Sequence, residues 1–246
     1  MTVCQVLRED PELAEAVGPA ERERAIEECV ARTMSLARGR WNIQTATAMH
    51  DGIGVLVLEG LLIRRVGIDG RFGAELLGEG DLLRPWQGQS DSPTLTQTTG
   101  WRVLEPMRLA LLDEHVERRF AAFPPLTGYL VGRALERSRN LTINMAIVHQ
   151  ARVNVRLHIL FWHLAERWGR VGTEGVILPL GLTHSVLSDL VAARRPTVTS
   201  SLSELSRQGK VRPVRDGWLL SGDPPGELLE LQRVSLPPND AVNGHR

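Results

Sequence analysis

The chain has 246 residues, 42% of them hydrophobic and only 4% aromatic, and its 29 basic residues balance its 29 acidic ones. That length and apolar share can bury one large core or two modest ones, which excludes a fibrous or globally disordered chain. Neutral charge excludes bulk electrostatic attraction to nucleic acid, so such a partner would have to meet a local patch. The longest wholly apolar runs, such as "VLVL" and "LLI", fall far short of the roughly 20 residues of a membrane span, and the amino terminus is acidic rather than basic and then apolar. A cytoplasmic protein without membrane contact is expected. Cys4 and Cys29 are the only cysteines, too few for a disulfide framework or an all-cysteine iron–sulfur cluster, so both are expected as small buried residues and no metal or cofactor is anticipated.

In chain order, the stretch Glu21 to Leu36 reads as helical. From Trp41 to Leu112 the sequence turns to glycine, threonine and short aliphatic runs ("GVLVLEGLLIRRVGIDG", "FGAELLGEGDLL", "TLTQTTGWRVL"), the pattern of an antiparallel β-roll or sandwich. The first domain is therefore placed at residues 1–122, with an N-terminal helix. Pro124 and Pro125 punctuate, after which Leu126, Leu130, Ala134, Leu141, Met145 and Val148 recur at three- and four-residue steps apart from a gap near Arg137. A narrow stripe on so long a helix suits pairing with a second copy of the chain, and residues 123–150 are assigned to dimerisation; packing on its own chain is the alternative. A further helix is predicted from Val153 to Trp168, apolar over much of its surface. Its His158 and His163, five apart, are poorly spaced for a metal and read as core histidines. "VGTEGVILPLG", Val171 to Gly181, reads as a turn and a short strand.

The sharpest local signal follows. Thr183 is a good helix N-cap, and Val186, Leu187, Leu190 and Val191 give a short helix one apolar face. "AARR" makes a tight turn, and a second helix has Pro196 in its first turn, buries Val198, Leu202 and Leu205, and stops at Gly209. "KVRPVRDGWLLSG" then alternates around Asp216-Gly217, a favoured hairpin pair, and supplies a wing. Residues 151–222 thus read as a winged helix-turn-helix. From Ala192 to Trp218 the positive residues are Arg194, Arg195, Arg207, Lys210, Arg212 and Arg215 against Glu204 and Asp216, six minus two, or four net positive charges. In such a motif the second helix enters the DNA major groove by its N-terminal end. There an arginine can fork onto a guanine edge while another grips phosphate, and Thr197, Thr199, Ser200 and Ser201 can bond phosphate oxygens. Candidate DNA-contacting residues are Thr183, Arg194, Arg195, Thr197, Thr199 and Ser200, with Arg212 and Arg215 on the wing. Residues 223–246, with four prolines and no periodic apolar face after "LLELQ", are expected to be a partly disordered tail.

The stretch "LTHSVLSDLVAARRPTVTSSLSELSRQGKV" is similar to the winged helix-turn-helix of the Crp/Fnr family of bacterial transcription regulators, and "VLVLEGLLIRRV" with "LLGEGDLL" resembles that family's cyclic-nucleotide-binding-type β-roll. The resemblance runs from about Trp41 to Gly222 and implies an α+β chain: an N-terminal antiparallel β-roll, a long dimerisation helix and a C-terminal winged helix-turn-helix. It implies a homodimer, joined through the helix near Leu126–Val148, on an imperfectly palindromic operator in double-stranded DNA, with RNA polymerase as a further partner and an unidentified effector acting through the helix–domain geometry. By the same resemblance Thr183 and Thr197 match phosphate-contacting positions and Arg195 a base-reading one. Pro196 and Ser200 stand where the best-known member reads bases, so its operator does not transfer, and Arg194 replaces a common serine cap.

Cyclic-nucleotide binders of this fold carry Gly-Glu soon after "GD" and an Arg-Ser or Arg-Thr about ten residues on, a guanidinium for the phosphate and a carboxylate for the ribose. Here Arg84-Pro85 replaces the first pair and no arginine stands near Leu95-Thr96, which argues against cyclic AMP. Arg84 and Trp86 could line a different pocket or simply sit in a surface loop. "GEGDLL" lacks the lysine and helix of a phosphate-binding loop, and no catalytic triad or HExxH pattern occurs, so no enzyme is expected. The rival to a DNA-binding regulator is a signalling protein whose β-roll takes a ligand or protein partner and whose C-terminal domain has become an interaction module.

Overall fold

The computed structural model describes residues 2–43, 52–68, 71–86, 97–226 and 228. Residues 87–96 and those beyond residue 228 lie outside them, and with them the expected disorder of residues 223–246 in its greater part. The chain divides into two compact units, Met1–Leu141 and Thr142–Arg246.

The first unit holds an antiparallel seven-stranded sheet with short helices before and after it. β1 (Val3–Gln5), α1 (Val6–Glu9), α2 (Pro11–Glu15) and α3 (Pro19–Glu28) lead into β2 (Val30–Leu36) and β3 (Gly39–Trp41). The helix expected over Glu21–Leu36 therefore ends at Glu28, and its second half is a strand. The reason is pairing: β2 lies between β1 and β7 in register Cys4↔Ala31 and Met34↔Leu109, and Ala31 and Thr33 alternate into the interior. β4 (Gly54–Ile68), β5 (Arg71–Gly78), β6 (Leu82–Leu83) and β7 (Gln97–Leu112) complete the sheet in the order β1-β2-β7-β4-β5, with β3 on β7 and β6 on β4.

β4 reads as an almost unbroken apolar run because both its faces are covered. Val55, Val57 and Leu62 join Leu77, Val103, Met107 and Leu109 inside the roll. Leu56 and Leu58 face the other way, into a core shared with Leu7, Leu13, Val116, Phe120 and Phe123 of the helices. Register shifts between Val57 and Leu62 bend the strand, and Gly60 sits in the bend at φ +96, where a Cβ would fall 2.3 Å from the Pro106 carbonyl oxygen.

Asp113 caps α4 (Glu114–Phe120), accepting from the His115 and Val116 amides. The long helix α5 (Pro124–His149) follows. Of its predicted stripe, Leu126 and Leu130 are buried in the first unit's own core, whereas Ala134 and Met145 are exposed and Leu141 and Val148 half-buried; Val131 and Leu135, outside the stripe, are 54% and 67% exposed and Met145 63%. The stripe thus faces inward only in its first two turns, and the exposed apolar residues lie on a neighbouring face shifted by one residue, through Val131 and Leu135. Arginines seat the first part of α5. Arg133 donates to Asp10 at 2.8 Å, and Arg137 makes a two-point bond with Glu75 (2.7 and 3.2 Å).

The second unit contains α6 (Val153–Trp168), β8 (Arg170–Gly172), β9 (Gly175–Leu178), α7 (His184–Leu190), α8 (Arg195–Arg207), β10 (Val211–Val214) and β11 (Gly217–Leu220). Where one short strand was expected after α6 there is a hairpin, and it joins the wing in a four-stranded sheet, β10-β11-β9-β8. His158 and His163 are buried, and Trp162 Nε1 donates to His158 Nε2 at 3.2 Å. Phe161 meets Trp218 at 5.0 Å between ring centroids, tying α6 to the sheet. Leu187 and Leu190 of α7 and Val198, Leu202 and Leu205 of α8 complete the core.

Candidate DNA-binding surface

The helix pair is set by its caps. Thr183 Oγ1 accepts from the Val186 amide at 3.3 Å and starts α7. That helix ends in a Schellman turn, Ala192 N to Asp189 O and Ala193 N to Ser188 O, with Ala192 in the left-handed region at φ +48. Arg156 of α6 donates to the Val191 carbonyl and holds the turn from below. α8 closes in the same way, Lys210 N to Leu205 O, with Gly209 at φ +69.

Arg194 occupies the N-cap of α8 in extended backbone, its side chain making no cap bond; Arg195 and Pro196 form the first turn. Arg194, Arg195, Thr197, Thr199 and Ser200 are all exposed, and neither arginine has an ion pair among the described residues. Ser201, read with the polar row, is instead buried beside Leu202. The row's hydroxyls fold back on the helix: Thr199 donates to the Arg195 carbonyl, Ser200 to those of Pro196 and Thr197, and Ser203 to that of Thr199. Each keeps oxygen lone pairs outward, while the arginines supply the free donors.

The wing turn is displaced from the expected pair. Val214 pairs with Gly217, so the two loop residues are Arg215 and Asp216. Gly217 is a strand residue at φ +143 whose missing Cβ lets Leu178 O approach to 2.1 Å of that position. Arg215 is exposed with no partner among the described residues, whereas Arg212 is held by Glu174 at 2.6 Å. Of the wing arginines, Arg215 alone is uncommitted.

Sequence reasoning overlooked His184. Its Nδ1 lies 2.9 Å from Thr199 Oγ1 and joins the first turn of α7 to α8. Its place directly after a capping threonine was the available signal. In the first unit, Arg84 Nε donates to the Ile53 carbonyl at 2.9 Å and its Nη2 to that of Gly52, and Trp86 packs against the interior of the roll. The two named pocket candidates are thus engaged with their own chain. Among the described residues, no group of three or more His, Cys, Asp or Glu is placed to hold a metal ion, and no helix is long and apolar enough to cross a membrane.

Residues 155–225 match the family model of the Crp-like helix-turn-helix domain. Among solved structures, the chain is similar to a variant of CooA from Carboxydothermus hydrogenoformans, with 17% identity over 85% of this chain and 89% of that one and a TM-score of 0.57. It is similar to a cyclic nucleotide-binding domain containing protein from Listeria monocytogenes (12% identity, 85% and 94% covered, TM-score 0.60). It is also similar to the c-di-GMP responsive global regulator CLP of Xanthomonas campestris (16% identity, 84% and 100% covered, TM-score 0.55). At these identities the likeness is one of fold. No curated protein sequence matches the chain.

Proposed function

We propose that this chain, with a Crp-like helix-turn-helix domain at residues 155–225, is a DNA-binding transcriptional regulator of Crp/Fnr type that acts as a homodimer on a palindromic operator in the cytoplasm. The observation that carries the proposal is the end of α8, where Arg194 and Arg195 stand exposed without acidic partners among the described residues, as does Arg215 on the wing. Arg195, in the first helical turn, would read a base edge; Arg194, Arg215, Thr183 and Thr197 would hold phosphates, with Thr199 and Ser200 accepting or donating along the groove. Arg212, already paired to Glu174, would contribute less.

The exposed face of α5 supports pairing of two copies. Val131, Leu135 and Met145 fall with Ser138 and Thr142 at alternating four- and three-residue steps, the seam of a two-helix contact. A two-fold pair would set two reading helices about 34 Å apart, one helical turn of DNA. RNA polymerase is the further partner proposed for a regulator of this type. The effector is not cyclic AMP: Arg84-Pro85 stands in place of the pair that would hold it, and the Arg84 guanidinium is bonded to backbone carbonyls.

The test is anisotropy titration of the protein on its own promoter region across a salt series, beside Arg194→Ala/Arg195→Ala. Tight binding whose log–log salt slope falls by about 1 for each phosphate contact removed is expected. Salt-insensitive retention of partners by both proteins would instead favour the interaction-module reading. Sedimentation of Leu135→Glu/Met145→Glu, expected as a monomer, tests the pairing face.

A further inference from the structure

The first turn of α8 begins without the usual supports. Arg194 makes no side-chain cap bond, Pro196 has no amide hydrogen to give, and the opening backbone bond is Val198 N to Arg194 O at 3.1 Å. An arginine that reads a base edge from such a turn needs its backbone held within about 0.5 Å and 10–20° of the productive geometry. A contact from α7 supplies a hold. His184 Nδ1 lies 2.9 Å from Thr199 Oγ1, and Thr199 Oγ1 lies 3.1 Å from the Arg195 carbonyl oxygen.

The direction of this relay follows from counting protons. A threonine hydroxyl has one proton and two lone pairs, and an imidazole nitrogen carries either a hydrogen or a lone pair. Were Nδ1 bare, the hydroxyl proton could serve only one of its two neighbours, leaving lone pair against lone pair at 2.9 or 3.1 Å. With the hydrogen on Nδ1 both contacts are hydrogen bonds: His184 donates to Thr199, and Thr199 donates to Arg195. Threonine on a helix divides between two rotamers, because its oxygen can turn back to an earlier carbonyl. A donor reaching across from α7 fixes the turned-back form. Thr199 stands four residues after Arg195 on the same exposed face of α8, whereas Val198 between them is wholly buried. The relay thus ties the outward side of the reading turn to α7, as Val198 ties its inward side to the core.

We propose that His184 is a positioning residue of DNA recognition, acting through Thr199 to hold the backbone from which Arg195 meets a base edge. The proposal rests on the reading of α8 as the helix that enters the groove. Phosphate attraction by Arg194, Arg195 and Arg215 needs no exact register, so it survives a loosened turn; a forked contact with one base does not. His184 therefore governs preference for the operator over other DNA, and leaves the sequence-independent part of binding nearly untouched.

The experiment compares anisotropy titrations of the full-length protein on its best-bound promoter fragment and on a scrambled fragment of the same composition. His184→Phe, which keeps a ring and deletes the donor, should lower promoter affinity about fivefold and scrambled-fragment affinity less than about twofold. His184→Asn, whose Nδ2 takes the place of Nδ1, should restore most of the loss. Thr199→Val should resemble His184→Phe, and the two together should cost no more than the larger alone. Nitrogen-15 ring spectra of the protein without DNA, with the His184 signal identified by its absence in His184→Asn, should show the hydrogen on Nδ1. Thermal melts of the same samples should retain the second unit's transition, so that loss of fold does not imitate loss of position. Equal losses on both fragments, no rescue by asparagine, additive losses in the pair, or a bare Nδ1 overturns the proposal. A wild type that binds no promoter fragment overturns the DNA-binding reading, and the proposal with it, whatever the ring spectrum shows.

Discussion

Replacing Glu75 by glutamine keeps its shape and removes its charge. The carboxylate side chain is 6% exposed, and its partners Arg64 and Arg137 are 26% and 21% exposed. Removing one member of a buried ion pair costs about 3–5 kcal/mol, because the remaining charge stays buried unpaired. Here two like charges remain together, but each keeps a fifth to a quarter of its surface in water, which brings the expectation to about 2–4 kcal/mol. At about 3 °C per kcal/mol for a domain of this size, the first unit's transition should fall by roughly 6–12 °C. The assay is thermal and urea unfolding at pH 7, repeated in about 0.5 M salt, where a buried pair is little screened and the loss should persist. A cycle with Arg137→Met should show coupling above about 1 kcal/mol, since each substitution removes part of the other's penalty. A loss below about 0.5 kcal/mol, or strict additivity, would refute the view that Glu75 clamps α5 to the roll.

Asp113 offers a pH test. Burial works against its charge, but hydrogen bonds from the Val116 amide, Arg32 and the His115 amide outweigh it and hold its pKa below the usual aspartate value. A depressed folded pKa contributes stability that is present above the unfolded value, about 3.9, and is lost as pH falls through the folded one. Asp113→Ala should therefore cost about 1 kcal/mol at pH 7, shrinking toward zero in acid melts. Gly217→Ala, which drives a Cβ into the Leu178 carbonyl, should destabilise the second unit by about 1–3 kcal/mol and leave the first unit's transition unmoved, as differential scanning calorimetry would resolve. Burial pushes the Cys29 thiol up to about 11, so at pH 8 a thiol reagent should label it only in denaturant, as mass spectrometry of quenched samples would show.

Local signals carried the second unit. Capping at Thr183, an apolar period through Val198, Leu202 and Leu205 and a glycine stop are all decided within one or two turns, and α6 falls at the expected residues. Features that depend on a distant partner were not legible in the same way. Val30–Leu36 became a strand because β1 and β7 flank it, and β8 and β9 are bound through the Trp218↔Leu178 register, some forty residues apart. The wing turn moved by one residue because Gly217 is needed where β11 crosses Leu178, a close approach invisible from the Asp-Gly pair. Nor does the composition around Trp41, Arg64, Glu75 and Trp101 suggest a common rung; only the pairing of four strands brings them into line. On α5 the periodicity was visible, but which side the chain itself would cover was not.

The bare N-terminus of α8 is a load on the domain. A missing side-chain cap costs about 1 kcal/mol, and each cation at the positive end of a helix dipole adds roughly 0.3–1 kcal/mol at low salt. The anchor of Val198, Leu202 and Leu205 carries that load. Such an end is a strained spring waiting for negative charge, and any polyanion that meets it raises the domain's melting point by mass action. Heat resistance and reading capacity are therefore in opposition here: an Arg194→Asp chain, capped and electrostatically quiet, would be the sturdier fold and the poorer regulator.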